Sequence, residues 1–393
     1  AYPNQFEHTH TAFGSLKWNK QFGKLNIETS AYWRRHYDRY ELIRDSSYKR
    51  NFHRNDASGA QARASYFSQI GKTVLGVNYR HEELLSTSLG NDLVKTHKAD
   101  FYNGVSPRPL YSKGDFRDII DYYLDHTFYL DNFTVSAGVL GSWSSAYGNN
   151  IYAGADASYS LSNRVKLYAG INQSLRLPTF TELFYNNIGY AANRNLTPEK
   201  ALTYEVGTKY NINGLFTSHL SVFYRQGKDI IDWVKLNEPD DWESKNLTDV
   251  DALGIELAAA YTPKDMWIKK LQLSAMWQTL DKESSIYISK YALDYLKYKI
   301  NVGVDHSLFL RNLTASWRFS YQDREGTYAD FKSGLEVPYK AFALVDLKLM
   351  YTQPQYNVFV EASNLFDKRY VDLSNLVQAG FWLKAGIQVT IGK

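Results

Sequence analysis

The chain of 393 residues has no cysteine and only 3 methionines. Lack of cysteine excludes a disulfide framework and thiolate metal sites, while leaving the compartment open. Charge of one sign is also scarce. The 45 basic and 41 acidic side chains leave a net charge of +4, too small and too evenly spread for a nucleic-acid-binding surface. No run approaches the ~18 apolar residues that a membrane-crossing helix needs, and the mean hydropathy is −0.44. No G-x-S-x-G elbow, H-E-x-x-H or phosphate-binding loop occurs, so nothing in the motifs supports an enzyme. No secretory leader is visible at Ala1, so such a segment is either removed or lies outside this sequence.

Aromatic residues are what the chain has in plenty: 32 Tyr, 20 Phe and 9 Trp, or 16% of the residues. Rings with one polar tip suit a membrane–water boundary. Strict alternation runs through several segments. Phe381, Leu383, Ala385, Ile387, Val389 and Ile391 fall on one face, with Trp382, Lys384, Gly386, Gln388, Thr390 and Gly392 on the other. Val165, Leu167, Ala169 and Ile171 oppose Lys166, Tyr168, Gly170 and Asn172, and Ile255, Leu257, Ala259 and Tyr261 oppose Gly254, Glu256, Ala258 and Ala260. Period two places such sets on opposite faces of a sheet. The apolar set faces a core in a soluble sandwich, or lipid in a membrane barrel with a wet interior.

Connections separate these two readings. Short turns fall near 19–24, 70–72, 130–133, 161–164, 211–215, 261–267, 310–312 and 352–356. Between them lie long polar links near 35–56, 87–117, 176–199, 227–250, 282–296, 324–339 and 366–378, with one short link near 147–150. Alternating short and long connections mark an all-β, antiparallel transmembrane β-barrel of the outer-membrane type, with the long loops outside. A compact soluble domain seldom carries so many long loops. The count is about seventeen strands of near the ~10 residues that a tilted crossing needs.

Two blocks carry a resemblance. The first runs S-L-R-L-P-T-F-T-E-L-F-Y from Ser174, then N-R-N-L-T-P-E-K-A-L-T-Y-E-V-G to Gly207. Arg176, Pro178, Thr179, Glu182, Leu183, Asn195, Leu196, Pro198, Glu199, Tyr204, Glu205 and Gly207 match the barrel signature of TonB-dependent outer-membrane receptors. The second, F-V-E-A-S-N-L-F-D-K-R-Y at 359–370, resembles the same family's penultimate-strand block through Asn364, Leu365, Phe366, Asp367 and Tyr370. The family is one of barrels of about 22 strands with a plugged lumen. The resemblance therefore implies that residues 1–393 are the C-terminal part of the barrel, with the plug, the TonB-coupling box and the first strands upstream. It also implies import of a scarce ligand driven by TonB and its inner-membrane energising complex, in the outer membrane of a Gram-negative bacterium. A passive porin, or a structural barrel partner of a surface lipoprotein, is the reading from another class.

Tyr185, Asn186, Asn187, Tyr190, Asn193, Trp233 and Trp242 are the candidate ligand contacts, because aromatic and amide side chains on loops suit a small molecule. Asp240, Asp241 and Glu243 gather hard oxygen donors in the loop 237–243, so Ca²⁺ is a candidate there; a solvated acidic loop is the plainer reading, and no cofactor is required. Arg176–Tyr185 reads as a strand-to-loop transition shaped by Pro178. Glu205 and Arg225 are expected on the wet lumenal face. His36 and His53 are placed in one arginine-rich loop, as a basic surface or a weak metal or anion site. The segment Arg34–Leu42, with Glu-His-Thr at 7–9, looks more like cobalamin receptors than siderophore receptors. Cobalamin is the expected ligand, with a ferric siderophore or haem as alternatives.

Overall fold

The computed structural model describes the whole chain except residues 1–3, 45, 47–48, 101–107, 188, 238–239, 247–248, 265, 283–286, 291–293, 311, 331–332, 373–376 and 392–393. Gly392 of the expected last strand and residues 238–239 of the acidic loop therefore lie outside the described residues. One sheet of 18 strands dominates. Among the described residues the short strand Asn91–Lys98 pairs only with the outer end of Leu110–Leu130. The other seventeen follow one another in chain order, each antiparallel to the next. Among the described residues Phe6–Phe22 pairs only with Leu25–Glu41, and Trp382–Val389 only with Tyr356–Ser363.

Alternation sorts the two faces of this sheet as expected. Ala169, Val206, Val222, Ile255, Trp277 and Tyr298 are successive cross-strand partners, so apolar side chains line up in rows across strands. This face is unpacked: Leu75 is 59% and Val206 56% exposed. Aromatic pairs bound it near the short turns, at Trp18–Phe22, Phe133–Tyr159 and Tyr210–Phe216. At the other end Tyr204 stacks on Tyr224, and the Tyr79 hydroxyl donates to Asp118 over 2.7 Å. An apolar band between two aromatic rows is the lipid-facing pattern of a transmembrane barrel.

The opposite face is polar and borders an open pocket of about 840 Å³ lined by Lys209, His219, Gln272, Asn301, Arg318 and Asp346 among others. Glu205 lies on it, accepting from the Tyr168 hydroxyl at 2.7 Å, with His219 also 2.6 Å from that hydroxyl. Gly207 explains itself here. Tyr168 is its cross-strand partner, and a Cβ on Gly207 would sit 2.5 Å from the phenol ring and 2.5 Å from the Leu220 carbonyl. The same device recurs where Tyr123 covers Gly76 and Phe223 covers Gly254. A ring covering a glycine restores the packing that the missing side chain gives up.

One expectation is corrected. The segment 35–56 is not a long loop, because Leu25–Glu41 and Arg50–Phe67 pair without a break from Leu25↔Tyr66 to Glu41↔Arg50. His36 and His53 are therefore strand residues. Likewise Leu110–Leu130 begins inside the segment 87–117. Outside the apolar band both faces of a strand meet water or a neighbouring loop, so alternation disappears although the ladder continues. Ion pairs replace it: Arg35 with Asp56 at 2.6 Å, Arg54 with Asp56 at 2.9 Å, and buried Arg39 with Glu41 at 2.7 Å. Pairing of Arg35, Arg39 and Arg54 with carboxylates weakens the anion reading, and burial pushes the His53 imidazole down to about 4, so it carries no charge for an anion at neutral pH.

The first signature block forms a knot that anchors the outer loops. Arg176, at the end of Val165–Arg176, donates to Glu199 at 2.6 and 2.5 Å and to Glu182 at 3.1 and 3.0 Å. Paired guanidinium–carboxylate forks fix direction as well as distance. Glu182 also closes a capping box with Thr179 around the one-turn helix Phe180–Phe184. Buried Glu199 accepts in addition from the Ile231 backbone N–H at 2.7 Å, tying in the next long loop. Pro178 is fully buried, and its carbonyl accepts from Arg117 at 2.7 Å. Leu183, Phe184, Leu196 and Ile231 close an apolar cluster above the knot.

The second block is a turn scaffold. Asn364 and Asp367 both adopt positive φ, at 49° and 52°. The Asn364 amide donates to the Lys368 and Ala379 carbonyls, and Asp367 accepts from the Phe381 N–H at 2.9 Å. Leu365 donates its N–H to Val345, Tyr370 packs on Phe342 at 4.2 Å, and Phe366 stays exposed.

Glu199→Ala strands the Ile231 N–H and frees half of the Arg176 fork, at a cost of about 2–4 kcal/mol. The expected result is protease cleavage in both 177–198 and 229–249, while the strands remain resistant; unchanged cleavage of the second loop would show that Glu199 does not hold it. Gly207→Val forces the Tyr168 ring away and costs about 1–3 kcal/mol. It should lower the temperature at which the folded form unfolds on a gel, whereas the same change at exposed Gly14, which nothing approaches within 4 Å, should not.

Candidate ligand-binding site

Above the knot, three long loops build a second, four-stranded sheet from Tyr190–Ala191, Trp242–Asn246, Ile231–Lys235 and Ile288–Ser289. Its register decides which side chains meet. Tyr190 lies opposite Trp242, and Trp233 opposite Ser244. Val234 opposes both Glu243 and Ser289, and Lys235 opposes Ile288. Alternation then places Tyr190, Trp242, Trp233, Lys235 and Lys290 on one face, with Glu243, Val234, Asp232 and Ser289 on the other.

Four of the expected ligand residues thus converge. Tyr185, Tyr190 and Trp233 meet edge to face, with centroids 5.4, 6.2 and 5.5 Å apart. Such T-shaped contacts are favoured by the ring quadrupoles. Trp233 is only 8% exposed, so it offers a ligand little of its surface. It sits where the face packs against the end of the short helix, and it acts as the floor of the cluster. Tyr190 and Trp242 lie further along the face and stay half-exposed.

Asn186, Asn187 and Asn193 make hydrogen bonds within the loops. The Asn186 side chain accepts from the Ala192 N–H at 3.0 Å, and that of Asn193 from the Asn195 N–H at 2.9 Å. Asn187 exchanges backbone hydrogen bonds with Tyr190, and its amide donates to the Tyr185 hydroxyl at 3.3 Å. Asp240 accepts from the Asn237 backbone and side chain, and Glu243 pairs with Lys245 at 2.9 Å. Among the described residues no group of three or more His, Asp or Glu is placed to hold a metal.

Sequence reasoning missed the lysines. Lys290 Nζ lies 4.1 Å from the Tyr190 ring centroid and 5.3 Å from that of Trp242, while Lys235 Nζ lies 4.6 Å from Trp242. Lys290 also hydrogen-bonds the Tyr190 hydroxyl. Burial raises the Tyr190 phenol above its ordinary range, and nearby Lys235 pulls it back. Lys235 was discoverable, being two residues from Trp233; Lys290 was not, since only the pairing with Trp233 brings it in. Ser244, fully buried, joins the loops by donating to the Glu182 carbonyl and accepting from the Asn193 N–H.

Similar proteins are found in both sequence and structure. The vitamin B12 transporter BtuB of Photobacterium profundum is 24% identical over 65% of this chain and 40% of its own length. That of Vibrio vulnificus is 22% identical over 60% of this chain and 36% of its own. The chain thus spans less than half of these curated relatives. Among solved structures, the copper transporter OprC superposes with a TM-score of 0.76 at 14% identity, covering all of this chain and 67% of that one. The siderophore receptor PirA from Acinetobacter baumannii gives 0.73 at 14% identity, over 97% of this chain and 62% of its own. At such identities the likeness shows the fold alone. The model of the family described as TonB dependent receptor-like, beta-barrel, matches residues 1–365. The chain therefore belongs to the TonB-dependent receptor family, as part of its β-barrel.

Proposed function

We propose that this chain is the ligand-capturing barrel portion of an active transporter in the outer membrane of a Gram-negative bacterium, and that its ligand is cobalamin. The observation that carries the reading is the aromatic face of the loop sheet, raised above a strand sheet with one polar face. A corrin ring offers a broad conjugated surface to Tyr190 and Trp242. The likeness to vitamin B12 transporters supports that ligand. The family membership supports energy supplied by TonB and the inner-membrane proton gradient. No covalent step is part of the reading. A Ca²⁺ ion at Asp240, Asp241 and Glu243, and a capping surface lipoprotein, are additions that the transport reading does not need. A second ligand, a ferric siderophore, is favoured by one observation: two lysines share the aromatic face.

Full-length receptor is expected to bind cyanocobalamin. Replacing Tyr190 and Trp242 together by Ala should weaken binding roughly tenfold, a loss of ~1.4 kcal/mol, with folding checked by heat-modifiable migration. Trp233→Ala alone should weaken binding less than it destabilises the loops. Uptake by cells should stop when the proton gradient is collapsed, while surface binding persists. Absence of cobalamin binding, together with growth on an iron chelate, would overturn the ligand. Uptake that survives loss of the gradient would overturn active transport in favour of a porin.

A further inference from the structure

We propose that the turn Ser86–Asn91 is a strut for the aromatic face, with Leu89 and Asn91 as positioning residues that act through the capture loops. This rests on the transporter reading above and adds how those loops are held before a ligand arrives. Strands Phe133–Ser144 and Gly148–Ser160 stand between Leu110–Leu130 and Val165–Arg176, and they end outside in the short link 145–147. Side chains from beyond that link reach across it. Arg117, paired with Glu82 at 2.5 Å, donates to the Pro178 carbonyl at 2.7 Å and lies 5.1 Å from the Phe180 ring centroid. Leu89 packs against the cluster of Leu183, Phe184, Leu196 and Ile231. Asn91 accepts from Arg194 at 2.9 Å, and Arg194 lies 5.2 Å from the Phe184 centroid. One apolar cluster thus joins three segments, and Ile231 opens the strand that carries Trp233.

Buried polar atoms aim the turn. Ser86 is fully buried and is the cross-strand partner of His53. Its hydroxyl accepts from the Ser88 and Leu89 N–H groups at 2.9 and 2.7 Å, and lies 2.8 Å from His53 Nδ1. A hydroxyl has two lone pairs and one proton. With both lone pairs used, the proton goes to Nδ1, so His53 serves the turn as a neutral acceptor. Gly90 then reverses the chain at a φ of 109°. A Cβ on it would sit 2.5 Å from the Gly114 carbonyl carbon, so both conformation and space call for glycine. Asn91 goes on to pair with Gly114, which fixes the strut to the strand sheet. Loops held in the competent arrangement bind without first having to find it. Loss of the hold lowers apparent affinity by the fraction of competent molecules lost.

Full-length wild type, L89A/N91A and the volume-conserving L89M are compared in two measurements, with folding checked by heat-modifiable migration. The first is hydrogen–deuterium exchange with no ligand present. L89A/N91A should speed exchange at 190–194 and 231–235 roughly tenfold and leave 165–174 and 201–210 as in wild type. The second is the kinetics of cyanocobalamin binding. The double variant should slow association roughly tenfold and keep dissociation within about twofold, whereas loss of a direct ligand contact would speed dissociation. L89M should behave as wild type in both, since it keeps the apolar volume. Wild-type exchange at 231–235 in L89A/N91A overturns the strut whatever the ligand is. Faster dissociation with unchanged association overturns the positioning role. If wild type does not bind cyanocobalamin, the ligand reading falls, and the exchange measurement alone decides the strut.

Discussion

Backbone N–H and C=O groups set in an apolar surround must all find partners within the protein, and that constraint governs this molecule. The long antiparallel ladder meets it strand by strand, save along one edge each of Phe6–Phe22 and Trp382–Val389 among the described residues. Once the ladder exists, period two sends Val206, Val222 and Ile255 outward and Glu205, His219 and Glu256 inward. Large rings create the remaining difficulty, since they crowd neighbouring strands. Glycine opposite the ring, as with Tyr168 and Gly207, resolves it at the cost of backbone entropy.

The knot at Arg176 translates the ladder into a positioned surface. Its guanidinium sits at the last residue of a strand and grips both ends of the loop that follows, through Glu182 and Glu199. Glu199 then reaches the following loop at Ile231, four residues before Lys235. The family signature thus consists largely of residues that hold other residues. None of its charged side chains needs to touch a ligand to matter for binding, because the aromatic face stands on the segment they immobilise.

Above the knot the chain changes its energetic strategy. The outer strands rely on ion pairs between Arg35, Arg54 and Asp56, and on small apolar clusters such as Phe52, Leu85 and Tyr111. Charge there is mostly matched. On the loop sheet Lys235 and Lys290 lie over aromatic rings, while Glu243 pairs with Lys245 on the other face. Matched ion pairs build scaffold, whereas half-buried rings with cations against them offer a surface to a ligand.

The sequence by itself determined the strands, the short turns and the membrane-type alternation, because each is a local property of a few consecutive residues. It also identified Tyr185, Tyr190, Trp233 and Trp242 as a group, through residue type and loop position. It misplaced His36 and His53, since strands that extend into water lose the alternation by which a strand is recognised. It did not show that Trp233 is buried, and it left Lys290 unnoticed. Burial of Trp233 depends on Tyr185 and Tyr190, and Lys290 reaches Tyr190 across 100 residues of chain. Only the tertiary pairing of loops, whose register no local pattern encodes, brought those side chains onto one face.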